Sequence, residues 1–237
     1  MATEVLTNCK ILLGGYNLSG YHNGLEITHG AEMLDDTVFG TSGTRSAKPG
    51  LKNFEANGNV FFDTTLDGVI YDRIGAVREV MSYAMVGEAH GDVTFFIRGI
   101  NGTYNPLSGE VGALLQSEFT ARSSNAPLVR GRLFVPDGTP ITTGSATALQ
   151  LGAVSATQRV YCAIHVTSVS GGGSATFTLQ SDNAVGFPSG TTQATSTAFT
   201  AIGAQWLEVL GPITDDWWRV GYTISGTVTA FVSVGII

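Results

Sequence analysis

The chain has 237 residues, 43% hydrophobic and only 13% charged, with 31 Gly and a formal net charge of −7. That length fits one large or two modest domains, and the low charge suits a protein that hides much of its surface in an assembly. Its 12 Lys and Arg are scattered, which argues against specific nucleic-acid binding through phosphate neutralisation, and a mean hydropathy of +0.19 with recurring aromatics argues against disorder. No window of about 18 apolar residues is present, so no membrane span is expected. The start, MATEVLTNCK, lacks a charged stretch followed by an apolar one, so no secretory signal is expected. Cys9 and Cys162 fall in no CxxC or Cys/His cluster and read as small buried side chains.

Gly, Pro, Asn and Asp recur at the rhythm of strands joined by turns. The first strands are expected at 10–13, 25–28 and 53–62. In the third, Phe54, Ala56 and Gly58 face one way and Glu55, Asn57 and Asn59 the other, the period of a half-buried strand. Val60, Phe61 and Phe62 break the alternation, which predicts cover on both faces. Leu66, Val69, Ile70, Ile74, Val77 and Val80 follow a helical spacing. They predict a helix of about three turns over 66–81, with Asp67 as its N-cap.

Further strands are expected at 80–86, 93–99, 111–121 and 128–135. Pro136, Asp137, Gly138 and Pro140 form a stop, and 139–148 reads as a linker. The charge distribution shifts there: beyond residue 145 the acidic residues are Asp182, Glu208, Asp215 and Asp216, and the basic ones Arg159 and Arg219. Two domains are therefore expected, 1–145 and 146–237. The second has strands at 160–169, 175–180, 205–209, 218–224 and 228–234, which predicts a β-sandwich. Tyr161, Phe177, Phe187, Trp206, Trp218 and Phe231 are its expected aromatic core. GlyGlyGlySer at 171–174 reads as a hairpin loop.

No chemistry-bearing pattern stands out. His22, His29, His90 and His165 form no zinc spacing. There is no GxSxG elbow and no phosphate-binding glycine loop, although a Ser/His/Asp site is recognised by geometry and not by order. Asp35 and Asp36, Asp63, Asp67 and Asp72, and Asp215 and Asp216 read as turn, cap and strand-edge residues. No catalytic residue, metal ligand or cofactor is expected, and no enzymatic activity. Trp217 and Trp218 are adjacent in a strand, so one indole enters the core and the other points outward. The outward ring can lie under a loop, meet another protein or stack on a sugar.

The N-terminal residues carry a resemblance. GlyTyrAsnLeuSerGly (15–20) leads into LeuGluIleThr (25–28) and AlaGluMetLeuAspAspThrValPheGly (31–40). ProGlyLeuLys (49–52) and the alternating strand at 53–63 follow, then GlyAspValThrPhe (91–95) and GlyGluValGlyAlaLeu (109–114). In this order the pieces resemble the major tail (tail tube) proteins of long-tailed bacteriophages, over roughly residues 1–135. The departures are ThrValPhe, where a second Thr is common in the family, and the inserted SerGlyThrArg (42–45).

The resemblance implies a mainly β fold: a tail-tube-like β-barrel or sandwich with one flanking α-helix. The C-terminal part would be an outward-facing β-sandwich, jelly-roll or Ig-like. It also implies a homo-oligomeric ring joined through sheet edges and stacked through a long loop and the terminal arm, in a virion with other tail or capsid proteins. The loop analogue is 34–51. By the same resemblance the assembly residues are Leu34, Asp35, Asp36, Phe39, Arg45, Lys48, Leu51, Phe54 and Phe61, with residues 1–8. Two other placements stay open: a capsid decoration or cement protein, and a carbohydrate-binding module using Trp217 or Trp218.

Overall fold

Most of the chain forms antiparallel strands, as its β-branched, aromatic and glycine content favours. The computed structural model describes residues 8–38, 44–85 and 87–237. In chain order the first strands are β1 (Lys10–Leu13), β2 (Tyr16–Asn17), β3 (His22–Asp35) and β4 (Ala47–Phe61). The helix α1 (Thr64–Tyr71) precedes β5 (Val77–Ala84), β6 (Val93–Ser108), β7 (Gln116–Ser123) and β8 (Val129–Val135). The remainder is β9 (Gly144–Ser145), β10 (Leu149–Gln150), β11 (Arg159–Asp182), β12 (Thr191–Thr195), β13 (Gly203–Leu210) and β14 (Trp217–Ile236). The expected mainly β fold is what the chain adopts.

The described residues divide into two compact units. Unit one takes those up to Gly20, with Glu79–Arg98 and Val129–Ile237; unit two takes Tyr21–Arg78 and Gly99–Leu128. Residues on both sides of position 145 fall in unit one. The expected linker is strapped down there: Ile141 bridges Val228, β9 pairs with β14, and the Ala146 N–H donates to the Val220 carbonyl at 2.8 Å.

Unit one is organised by β11 and β14, which pair along most of their length. The glycines at 171–173 do not turn the chain back as a hairpin loop. They form a bulge, with Ser170 opposite Thr227 and Ser174 opposite Ser225. Gly171 and Gly172 take positive φ of 68° and 66°, and Gly226, at φ 70°, faces them with no room for a side chain: an added Cβ would lie 2.7 Å from Gly173 Cα. Only glycine satisfies both conditions cheaply. On either side of the bulge, Val160, Cys162, Ile164 and Val166 join Ala175, Phe177 and Leu179 in one apolar cluster with Trp218, Val220, Val228 and Val232. The ribbon therefore bends over a single core.

The halves of the ribbon belong to different sheets. Residues 159–166 lie in the order β13–β11–β14–β8–β6–β5–β1–β2, and residues 174–182 pair with β12 and with the first half of β14. The first sheet curls. Phe96 of β6 and Trp206 of β13 stand four strand spacings apart, about 19 Å in a flat sheet, yet their rings meet edge to face at 5.6 Å. Val80, Phe96, Val129, Tyr161 and Ala163 fill the inside of that curl. Residues 160–166 are thus buried on both faces, which explains their unbroken apolar run. Of the expected aromatic core, Tyr161, Phe177, Phe187, Trp218 and Phe231 are buried and Trp206 is half-buried.

His165 sits within this sheet with no exposed surface. Its Nδ1 lies 2.6 Å from the Gly14 carbonyl and its Nε2 2.7 Å from Ser82 Oγ. A carbonyl only accepts, so Nδ1 carries the proton and Nε2 accepts from the Ser82 hydroxyl. This is a serine–histidine pair without a carboxylate behind it, and neither residue has exposed surface. Its work is to pin the β1–β2 turn, where a Cβ on Gly15 would collide with the Gly203 backbone.

Unit two is a four-stranded sheet in the order β3–β4–β7–β6, with β6 contributing 99–108. Phe54, Ala56, Val60, Phe119 and Ala121 are buried, while Glu55 is half-buried and Asn57 and Asn59 exposed. The expected alternation holds and continues further than expected: Phe61 is exposed, so this end is not covered on both faces. The helix is shorter than the spacing predicts, and its cap is Asp63, not Asp67. Asp63 Oδ1 accepts from the Thr65 and Leu66 N–H groups at 2.8 and 3.2 Å. Gly75 at φ 75° donates its N–H to the Asn101 carbonyl at 2.9 Å, and β-branched Val77 opens a strand. Pairing outweighs the helical spacing of Ile74, Val77 and Val80.

Burial pushes the His165 pKa down to about 4 from 6.5. The folded protein keeps this ring neutral while the unfolded chain takes up a proton below pH 6.5. Stability is therefore full above pH 6.5 and falls as pH drops toward 4, by about 1.4 kcal/mol per pH unit. Urea unfolding at pH 7 and pH 5 is expected to show this loss, and His165→Gln to lack most of it. An equal loss in the variant refutes the assignment.

Candidate assembly surfaces

Exposed apolar side chains are unevenly placed. Among the large exposed ones, Val185, Ile202, Leu210 and Ile237 lie in unit one; Met33, Leu34, Val38, Leu51, Phe61, Tyr71, Ile74, Val77, Leu107, Val111, Leu114 and Leu115 lie in unit two. Unit two is the smaller of the two, so its surface is much the more apolar. Patches of this kind mark contact surfaces in a soluble protein.

The first set lies on the β3–β4 hairpin. β7 covers β4 only over Glu55–Phe61, so the outer part, with Met33 opposite Pro49 and Asp35 opposite Ala47, is a two-stranded ribbon. The segment 34–51 expected as a loop is therefore mostly paired strand, and only its tip turns. There the Asp36 N–H donates to the Ser46 carbonyl at 3.1 Å and the Ser46 N–H to Thr37 Oγ1 at 2.9 Å. Lys48 Nζ lies 2.8 Å from Asp36 Oδ2, and this ammonium holds the Asp36 carboxyl below its usual range. The Thr37 hydroxyl, with its amide, does the same for Asp35.

Of the residues assigned to assembly by resemblance, Leu34, Asp35, Arg45, Lys48, Leu51 and Phe61 are exposed and Asp36 is half-buried. Leu51 is 83% exposed. Phe54 is not available: it is 1% exposed, on the inner face of β4. Phe39 and residues 1–7 lie outside the described residues.

The second set was not legible as surface. Leu107, Val111, Leu114 and Leu115 surround the β6–β7 turn, where a strand at 111–121 was expected; β7 begins only at Gln116. Gly109 and Gly112, at φ 152° and 92°, turn the chain there, and an apolar run interrupted by such glycines is the signal that marks an exposed tip. Gln116 pairs with Phe61, and the Phe62 N–H donates to the Leu115 carbonyl at 3.0 Å. This turn is therefore at the opposite end of β4 from the β3–β4 tip.

Both lateral margins of the sheet are open among the described residues. β3 pairs only with β4, and β6 beyond Asn101 pairs only with β7. In unit one, Trp218 is buried, with its indole N–H donated to the Gly152 carbonyl at 2.9 Å. It is removed from any contact role. Trp217, on the opposite face, is half-buried.

No protein-family model matches the chain, and no curated protein does. Among solved structures the chain is similar to a chain of the native gene transfer agent virion, at 14% identity and TM-score 0.41, over 51% of this chain and 95% of that one. It is similar to a chain of the sheath–tube complex of an extracellular contractile injection system, at 10% identity and TM-score 0.40, over 54% and 92%. It is also similar to the Dit protein of SPP1, described as a hub of the adsorption apparatus of phages infecting Gram-positive hosts, at 12% identity and TM-score 0.40, over 98% and 100%.

The burial difference along β4 separates core from contact residues. Phe54→Ala is expected to cost about 3–5 kcal/mol and Leu51→Ala less than about 0.5 kcal/mol in denaturant unfolding of the dissociated protein. Comparable losses would place both side chains in one environment and refute the division.

Proposed function

We propose that this chain is a self-assembling structural protein of a tailed-phage virion, placed in the tail tube, and that it acts by association and not by catalysis. The observation that carries the reading is the four-stranded sheet of unit two, open at both lateral margins and apolar at both ends. Unpaired strand margins are templates for pairing with another chain. β3 presents such a margin with neither Pro nor Lys in it. Leu51 and Phe61, at the two apolar ends, are separated along β4 by about 33 Å. Unlike ends favour head-to-tail contact between copies, and unlike margins favour side-by-side contact.

The residue-level resemblance of 1–135 to tail tube proteins supports the same placement. So does the chemistry of the outward face of this sheet, where Glu26, Glu55 and Glu118 stand among Asn57, Asn59 and Thr120, with Arg122 paired to Glu55. A mainly acidic and amide-bearing face does not hold DNA phosphates. Unit one would then be the outward part of the subunit.

Electron microscopy of the concentrated protein is expected to show rings and stacked rings. Leu51→Asp and Leu114→Asp, each at an exposed site, are expected to leave the thermal midpoint of the dissociated protein unchanged while stopping stacking. Images showing only single subunits at high concentration would refute self-assembly. Saturable binding to mature capsids without rings would move the protein to capsid decoration.

A further inference from the structure

Beside the open margin of β6 lies a groove of about 500 Å³ lined by Tyr71, Ile74, Thr103, Tyr104 and Pro106. Its construction follows from the short helix. Asp67 of α1 accepts from the Tyr104 hydroxyl at 2.8 Å, which ties the helix to β6. The Gly75 N–H donates to the Asn101 carbonyl, which leads the chain away from β6 before Gly102. The strand margin beyond that point is thereby left uncovered, with an apolar floor next to it. Tyr71 is 69% exposed and Ile74 42%, and neither position is needed to hold unit two together. Pro106 has no N–H to offer, so an incoming strand meets one donor fewer at that residue.

We infer that this groove receives β3 of a second copy of the chain, and that Leu25 and Ile27 of that copy seat against Tyr71, Ile74 and Tyr104. The inference rests on the assembly reading above and specifies its lateral contact. Three observations select this occupant. First, β3 is the other open margin of the same sheet, so joining it to β6 satisfies both rows of backbone groups at once. Second, the side-chain faces match. Leu25 and Ile27 stand opposite Gly58 and Ala56 on the inner face, and Tyr104 stands opposite Phe119 on that same face. When the sheet continues from copy to copy, the half-buried Leu25 and Ile27 arrive on the side where the groove lies. Third, the charges are complementary. β3 carries Glu26, Glu32 and Asp35 with no Lys or Arg, and Arg73 and Arg78 bracket Ile74 in the chain. Opposite charges of this kind set orientation and association rate.

The contact cannot form within one copy. β3 and β6 are the outermost strands of a four-stranded sheet, three spacings or about 14 Å apart. Cross-linking between them therefore reports association. A Cys9→Ser background removes the half-buried thiol, and Cys162, fully buried, stays unreactive. Ile27→Cys and Ile74→Cys are made separately in that background and treated with bis-maleimidoethane, alone and as an equal mixture. Covalent dimers are expected in the mixture and not in either variant alone. The double variant is expected to give a ladder ending at the ring size.

Rings that form normally while the mixture yields no dimers overturn this inference and leave the assembly reading standing. Dimers within either single variant indicate a two-fold contact and overturn it as well. Absence of any oligomer under all conditions removes the assembly reading and this inference with it. As a second readout, Ile74→Asp is expected to raise the concentration needed for rings at least tenfold, with an unchanged thermal midpoint in the dissociated protein. An Ile74→Cys thiol that reacts as fast in rings as in free subunits shows an empty groove and refutes the docking.

Discussion

A backbone N–H or carbonyl must be paired or wet, and the two units of this chain meet that constraint in opposite ways. In unit one, β11 and β14 saturate each other along a ribbon bent at Gly171–Gly173 and Gly226, and further strands flank each half. Residues 160–166 become buried on both faces, so their polar backbone has no recourse to water and the ladder must be complete. In unit two the same rule is satisfied internally only by β4 and β7. The outer rows of β3 and of β6 beyond Asn101 rely on solvent until another strand arrives.

This contrast explains where apolar surface is left over. Unit one turns its aromatic and β-branched residues inward because two layers are available to bury them. Unit two has one sheet and a helix of eight residues, enough to cover Phe54, Ala56, Val60, Phe119 and Ala121 but not Met33, Leu51, Tyr71, Ile74 or Leu114. A monomer gains nothing from those side chains, each of which would contribute about 1.5–3 kcal/mol if fully buried. A two-stranded ribbon such as the outer β3–β4 hairpin is likewise marginal alone in water. Both features make sense as surface reserved for contact.

The alternation at 53–59 was legible because one face of β4 meets a core and the other meets water. The aromatic core of the C-terminal part was legible for the same reason. What misled were segments whose partner is remote in sequence. Ile74, Val77 and Val80 keep a helical spacing, but Gly75 and the Asn101 carbonyl break the helix, and that bond joins positions far apart in the chain. GlyGlyGlySer looks like a loop because its partner, Gly226, is more than fifty positions away. The strap at 139–148 looks like a linker because its small polar residues bond to a strand through backbone and not through side chains. The exposure of Tyr71, Ile74 and Leu107 left no trace in periodicity, since a contact surface has the composition of a core.

The assembly that follows depends on the contacts being unlike. A patch that meets its own copy by a two-fold axis is consumed in a dimer, and growth stops. Here the margins differ in charge and in form: β3 is acidic and apolar on its inner face, and β6 has a groove and arginines beside it in the chain. Neither margin is complementary to itself, so each copy leaves one of the two unsatisfied until a ring closes. The ends of β4 also differ, one a long ribbon and the other a short glycine turn, and no rotation about the ring closes that contact. Lateral pairing therefore terminates while axial pairing continues, and a sheet with two unlike margins and two unlike ends is sufficient to specify a tube.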